Sequence, residues 1–154
     1  MVIIILIALI IGYIIVNYQA LSLRFNYWYN VDSKHQTWSE LHPITLHKAQ
    51  NTAQKLDENY LYIPTVGIQA PINWGVQEDD VTGMLSSGLV HYNASALPDD
   101  AAGNIYIIGN TSGPIWSSSP YKTVITLLDK VKPNHVITII YNNKIYSYRI
   151  IKIE

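Results

Sequence analysis

The sequence predicts a mainly β domain carried by one N-terminal membrane-spanning helix. Three observations lead there. From Tyr60 onward, short runs rich in Ile, Val and Tyr alternate with Gly, Pro, Asn and Asp, the punctuation of strands and turns. Val2 to Val16 holds no charged or strongly polar residue, and reading through Asn17 and Gln19 extends the apolar stretch to Leu23, about the 20 residues that a bilayer core requires. A length of 154 residues with 49% hydrophobic and 14% charged content suits one domain with one core, tilted apolar by its N-terminus. The expected organisation is a transmembrane anchor over residues 1–24, a juxtamembrane stalk or helix over 25–57 and a β domain over 58–154.

A cleaved signal peptide is the alternative for the first stretch, but its apolar region is long and no small-x-small site closes it. Tyr18, Tyr27, Trp28 and Tyr29 stand where amphipathic rings prefer the headgroup zone, as an interfacial belt. No Lys or Arg precedes the helix and Arg24 alone follows closely, so charge does not set the orientation; the absent charged leader points to a start further upstream. Residues 30–59 are polar. Within them Leu46, Ala49, Ala53 and Leu56 recur at three- and four-residue steps after Pro43, the spacing of a helix lying against the domain, with a solvated linker as the other reading.

Strands are expected at Leu61 to Ile63, ending at Pro64, and at Ile68 to Ile72, where Pro71 should mark a strand end or sheet edge because proline cannot donate to the ladder. Further strands are expected at Leu85 to Tyr92, Asn104 to Ile108, Val136 to Tyr141 and Lys144 to Ile153. Asn142-Asn143 between the last two is a two-residue hairpin signal, since Asn tolerates positive φ. Neither face of the final strand is cleanly polar, which predicts cover on both. Pro120 to Lys130 reads as an amphipathic helix after a Ser/Pro loop.

Composition excludes several functions. A net charge of −1 with no basic run argues against nucleic acid, and 12 Tyr and four Trp without interleaved Lys or Arg fit a β core or membrane interface better than base stacking. With no Cys there is no disulfide, thiolate metal site or thiol nucleophile. Among the five His, His42 and His47 are five residues apart, which does not set them squarely on one helical face, and no metal or other cofactor is expected.

The chemistry-bearing stretch is Gly103 to Pro133. Its strand, its turn at Gly109-Asn110 and its closing Leu128-Asp129-Lys130-Val131-Lys132-Pro133 follow Ile63-Pro64, Val66-Gly67, Ala70-Pro71-Ile72, Gly88-Leu89-Val90-His91-Tyr92 and Ala96-Leu97-Pro98. This ordered series over residues 60–154 resembles the sortases, cysteine transpeptidases of the bacterial cell surface. The resemblance implies an eight-stranded β-barrel, here incomplete at about six strands, with a short helix after the fourth-strand region. It also implies a single-pass protein of the bacterial cytoplasmic membrane, with its domain on the extracellular side. Its implied partners are that membrane, an LPxTG-type sorting-signal peptide and an amine acceptor.

That family's mechanism uses a Cys nucleophile, a His acid and base, and an Arg for the oxyanion. Asn110 stands at the His position, directly after the strand's Gly, and the Cys and Arg strands are expected beyond Glu154. An amide cannot shuttle a proton near neutrality, and losing that role costs about 10²- to 10⁴-fold. The chain as given is therefore expected to be inactive, with a non-catalytic binding or assembly module or a decayed reading frame as alternatives. Asn110 also suits a plain turn after a strand. His91 is expected to be structural, and Ser112 and Ser117-Ser118-Ser119 to be loop residues without an activating base. The sequons Asn93-Ala94-Ser95 and Asn110-Thr111-Ser112 are chance matches in a bacterial lineage, and Leu97-Pro98-Asp99-Asp100 lacks the Thr-Gly of a sorting signal. An incomplete barrel has unpaired edges, so residues 58–154 alone are expected to be poorly soluble or molten.

Overall fold

The computed structural model describes residues 1–41, 59–114 and 116–153. The stretch after Pro43 expected as a stalk helix, with His42 and His47, lies outside them. Helix α1 spans Val2–Tyr27 and runs directly into a single π-helical turn, Trp28–Ser33. It is the one described helix long and apolar enough to cross a membrane, and none of its apolar window is buried against the rest of the chain. A single turn, α2 (Trp38–Leu41), follows.

The C-terminal end of α1 turns inward. Tyr27 is 5% exposed and packs on Trp38, itself 4% exposed, with ring centroids 5.2 Å apart. Trp38 in turn lies over Gly67, where an added Cβ would come within 2.6 Å of the indole Nε1 and where φ is +67°. Only glycine suits that place, on both counts. Tyr18, Trp28 and Tyr29 stay exposed, while Tyr27, expected in the belt, belongs to the core.

Six strands form one mixed sheet in the order β4-β3-β2-β1-β5-β6. These are β1 (Tyr60–Ile63), β2 (Ile68–Val76), β3 (Leu89–Tyr92), β4 (Ile107–Ile108), β5 (Val136–Tyr141) and β6 (Lys144–Arg149). Neighbours are antiparallel except β2 and β3, which are parallel and joined through a 3-10 turn at Glu78–Asp80 and the short helix α3 (Val81–Met84). The mainly β architecture behind an apolar helix is as the sequence predicts, but the sheet is open: β4 and β6 are its edges.

Several local expectations change. Strand β2 runs on past Ile72 to Val76, β3 starts at Leu89 and not Leu85, β4 is Ile107–Ile108 alone and β6 ends at Arg149. Pro71 lies inside β2 and not at its end, because β1 pairs with residues 68–71 and β3 pairs from Ile72 onward, so the missing N–H falls where partners change. The segment from Pro120 to Lys130 is a chain of i→i+3 turns closing in a 3-10 turn at Leu128–Lys130 instead of an α-helix. The β-branched run Thr123 to Thr126 lowers helix propensity, and tertiary bonds compete with the helical ladder. The Ile125 N–H donates to the Asn110 carbonyl, and the Thr126 hydroxyl to that of Thr111. Strand β6, expected to be covered on both faces, leaves Ile145 55% exposed, and among the described residues no strand lies beyond it.

The β5–β6 turn is as expected, with φ of +50° at Asn142 and +57° at Asn143. Leu61, Ile63, Ile68, Ala70, Ile72, Leu89, Leu127 and Ile139 make the core. Alternation along β2 sends Ile68, Ala70 and Ile72 inward.

Candidate functional site

Asn110 stands two residues past the end of β4, half-buried, on the far side of Gly109. A side chain at 109 would press its Cβ to 2.6 Å from Leu89 and 3.0 Å from Ile125, so the chain enters the site through a gap that only glycine leaves open. The Asn110 side chain donates through Nδ2 to the Leu85 carbonyl at 3.4 Å, and its own carbonyl accepts from Ile125 N–H at 3.0 Å. Both bonds position backbone. No described hydrogen bond joins Asn110 to an imidazole, carboxylate or hydroxyl.

The turn that Asn110 touches is tied from two further sides. Asn73 Nδ2 lies 3.0 Å from the Leu89 carbonyl, 3.1 Å from Ser87 Oγ and 3.3 Å from the Met84 carbonyl, and Ser119 Oγ donates to the Ser86 carbonyl. Residues 84–89 are therefore held by three side chains from distant parts of the chain.

His91 is 1% exposed and lies in a different network. Its Nδ1 accepts from Gly75 N–H at 3.3 Å, leaving Nε2 to donate to the Ala96 carbonyl at 2.9 Å, with Ser95 Oγ 3.0 Å away. Trp74 packs on the ring at 4.9 Å between centroids. Both ring nitrogens are engaged, Nδ1 by β2 and Nε2 in fastening the 95–96 turn, as a structural histidine's would be. His135 accepts from Lys132 N–H at Nδ1, and His35 is exposed. Among the described residues no cluster of His, Asp and Glu could hold a metal.

The serines build their loop. Ser119 N–H donates to Ser117 Oγ, and Tyr121 N–H to Ser119 Oγ. Lys122, which no sequence pattern singled out, is 8% exposed and donates from Nζ to the Ser117 carbonyl at 2.7 Å. The signal that could have found it is its place on the inner face of the turn segment, beside Tyr121 and two residues before Val124.

On the open side of the sheet lies an apolar trough of about 640 Å³. Its walls include Leu61 and Ile63 of β1, Ile107 of β4 and Ile137 and Ile139 of β5, and Tyr148 of β6 and the loop 96–107 rim it. Burial pushes the Tyr148 phenol above its usual value, with Tyr146 adding to the effect. Apolar walls between two free strand edges can take an extended peptide, whose main chain pairs with an edge while alternate side chains enter the trough.

No family model matches the chain, and no curated protein matches it. Solved structures do. A sortase C1 from Streptococcus suis superposes with a TM-score of 0.50 at 21% identity, covering 62% of this chain and 48% of its own. The fold is sortase-like. Sortase A from Corynebacterium diphtheriae, in a lid mutant, gives 0.48 at 26% identity over 58% of this chain and 44% of its own. Sortase C1 from Streptococcus agalactiae gives 0.49 at 20% identity over 88% of this chain and 66% of its own. The chain thus spans about half the length of the first two structures, at 48% and 44%. In the sortase-like sheet the trough lies between the edge strands, and Asn110 leaves the end of one of them.

Proposed function

We propose that this chain is a sortase-family protein, anchored by residues 1–24 in the bacterial cytoplasmic membrane. Its domain, residues 58–154 after a juxtamembrane segment at 25–57 whose Tyr27 and Trp38 pack into its core, meets LPxTG-type sorting signals on the outer side. The observation that carries the reading is the sortase-like sheet with Asn110 just past Gly109 at the end of β4. The apolar helix α1 supports the anchor.

In these 154 residues the chemistry of transfer lacks its nucleophile and its proton donor, besides the Arg expected beyond Glu154. There is no thiol to attack a carbonyl, and at 110 an amide that holds the Leu85 carbonyl replaces a group able to protonate a leaving amine. The chain as given therefore binds sorting signals without turning them over. Such binding without chemistry is also what an assembly module would do, and the open trough favours that second reading.

A labelled LPxTG peptide with an oligoglycine acceptor tests both parts. The expected result is saturable binding to the chain in detergent with no cleaved or transferred product, unchanged in Asn110→His because a proton donor without a nucleophile gains nothing. Turnover by the unaltered chain would overturn the inactive reading. Absence of binding would overturn the peptide-binding one.

A further inference from the structure

We infer that loop residues 112–114 and 116–119 form a second membrane contact, seated in the lipid headgroup layer beside α1 with Trp116 as its anchor. The inference rests on the membrane-anchored reading of α1.

Two grooves run between α1 and this part of the domain. One is lined by helix residues 15–20 together with Ser112, Gly113, Lys122 and Thr123. The other is lined by Gln19, Ser22 and Leu23 together with Ser117, Ser118 and Ser119. Arg24, the first charge after the apolar run, pairs with Asp129 at 3.1 Å, which fixes the level of the domain along the helix. A charged group belongs outside the hydrocarbon, and each headgroup layer is about 5–8 Å deep. At about 1.5 Å of rise per residue, Ser22 and Gln19 stand roughly 3 and 8 Å from Arg24 toward the bilayer, and Ile15 roughly 13 Å. A loop lying alongside residues 15–23 is therefore level with the headgroups and the outermost acyl chains.

The chemistry of the loop fits that level. Hydroxyls and the Gln19 amide line the groove nearer Arg24, where headgroups and water can satisfy them, while Ile15 and Val16 line the deeper one. Lys122 spends its charge inside, on the Ser117 carbonyl, which stiffens the loop. Trp116 is 83% exposed, the largest exposure of any Trp in the described residues. An indole so bare is costly in water and favoured at an interface, where one end of the ring is apolar and the N–H stays wet. The opposite end of the domain lies far from the lipid. Strand β5 runs antiparallel to β1, whose Ile63 end leads toward Val66 and Trp38, so the 142–143 turn is at the other end of the strands.

Because the chain has no Cys, a single introduced thiol labels one place only. The full chain, reconstituted in vesicles of phosphatidylcholine and phosphatidylglycerol, would carry an environment-sensitive fluorophore at Ser118→Cys, at Ile10→Cys in the helix or at Lys144→Cys beside the far turn. Iodide in the water is the quencher. The expected result is that the label at 118 is quenched several-fold less than the label at 144, and that adding Trp116→Ser raises its quenching toward the value at 144. If the label at 10 is shielded while that at 118 is quenched as fully as at 144, the loop contact is wrong and the membrane anchor stands. If Trp116→Ser changes nothing, Trp116 is not the anchor. If the label at 10 is itself quenched, the membrane reading falls and this inference with it.

Discussion

Tyr27 and Trp38, at 5% and 4% exposure, close the sheet on the side of α1, whereas Ile145 and Tyr148 of β6 remain 55% and 37% exposed at the other edge. Both regions have apolar residues on offer. They differ in what covers them. On the helix side, aromatic rings from outside the sheet join Val66 and Leu127 in the core, and Trp38 settles over Gly67. On the β6 side the described residues supply no further strand or helix, so the same kinds of residue face solvent and the trough. The lesson is that the core of this domain is completed by chain lying outside the sheet, and stability should be concentrated where that completion has occurred.

The strongest way to break that comparison is Trp38→Ala. Emptying so large and well-packed a ring from a core costs about 3–5 kcal/mol, so the full chain in detergent should lose its cooperative thermal melt or show it at a much lower temperature. The same reasoning sharpens the expectation for residues 58–154 alone, which lack both Tyr27 and Trp38. That fragment should be molten or poorly soluble, and a sharp melt from it as a monomer would show that the rings are ornaments.

At the other edge Ile145→Lys should do little to the melt, within about 0.5 kcal/mol as for other exposed sites. It should reduce aggregation measured by light scattering, because a charge on an exposed edge discourages strand-to-strand pairing. A large loss of stability would mean that β6 is buried by a partner.

The smallest effect concerns Tyr148. Burial, with Tyr146 adding, raises its phenol above the unfolded value of about 10. Its contribution to stability is therefore complete below about pH 10 and is lost as pH rises through the folded value. Tyr148→Phe should remove part of the alkaline loss of stability and leave the melt at neutral pH nearly unchanged.

How legible each region was in the sequence follows the range of its contacts. The Asn142-Asn143 turn was readable because two adjacent residues carry the whole requirement for positive φ. Strand β5 has the expected bounds, since its β-branched run decides locally. Pro71 misled because the change of partner within β2 is a property of β1 and β3, not of the residues around the proline. The expected helix after Pro120 gave way to bonds from Ile125 and Thr126 to residues 15 positions earlier. At the candidate site the sequence placed Asn110 after its strand, yet nothing local announced Leu85 as its partner, 25 residues away. Likewise Tyr27 read as a belt residue until Trp38 claimed it.

The packing of Tyr27 on Trp38, with Arg24 paired to Asp129, also has a mechanical meaning. A helix that ended in open chain would let its domain roam on a leash, sampling a wide hemisphere. Here the last turns of the helix are built into the wall of the domain, which makes the connection a bracket. Were the chain held in a bilayer, such a bracket would trade reach for aim, holding the trough at one height and one tilt.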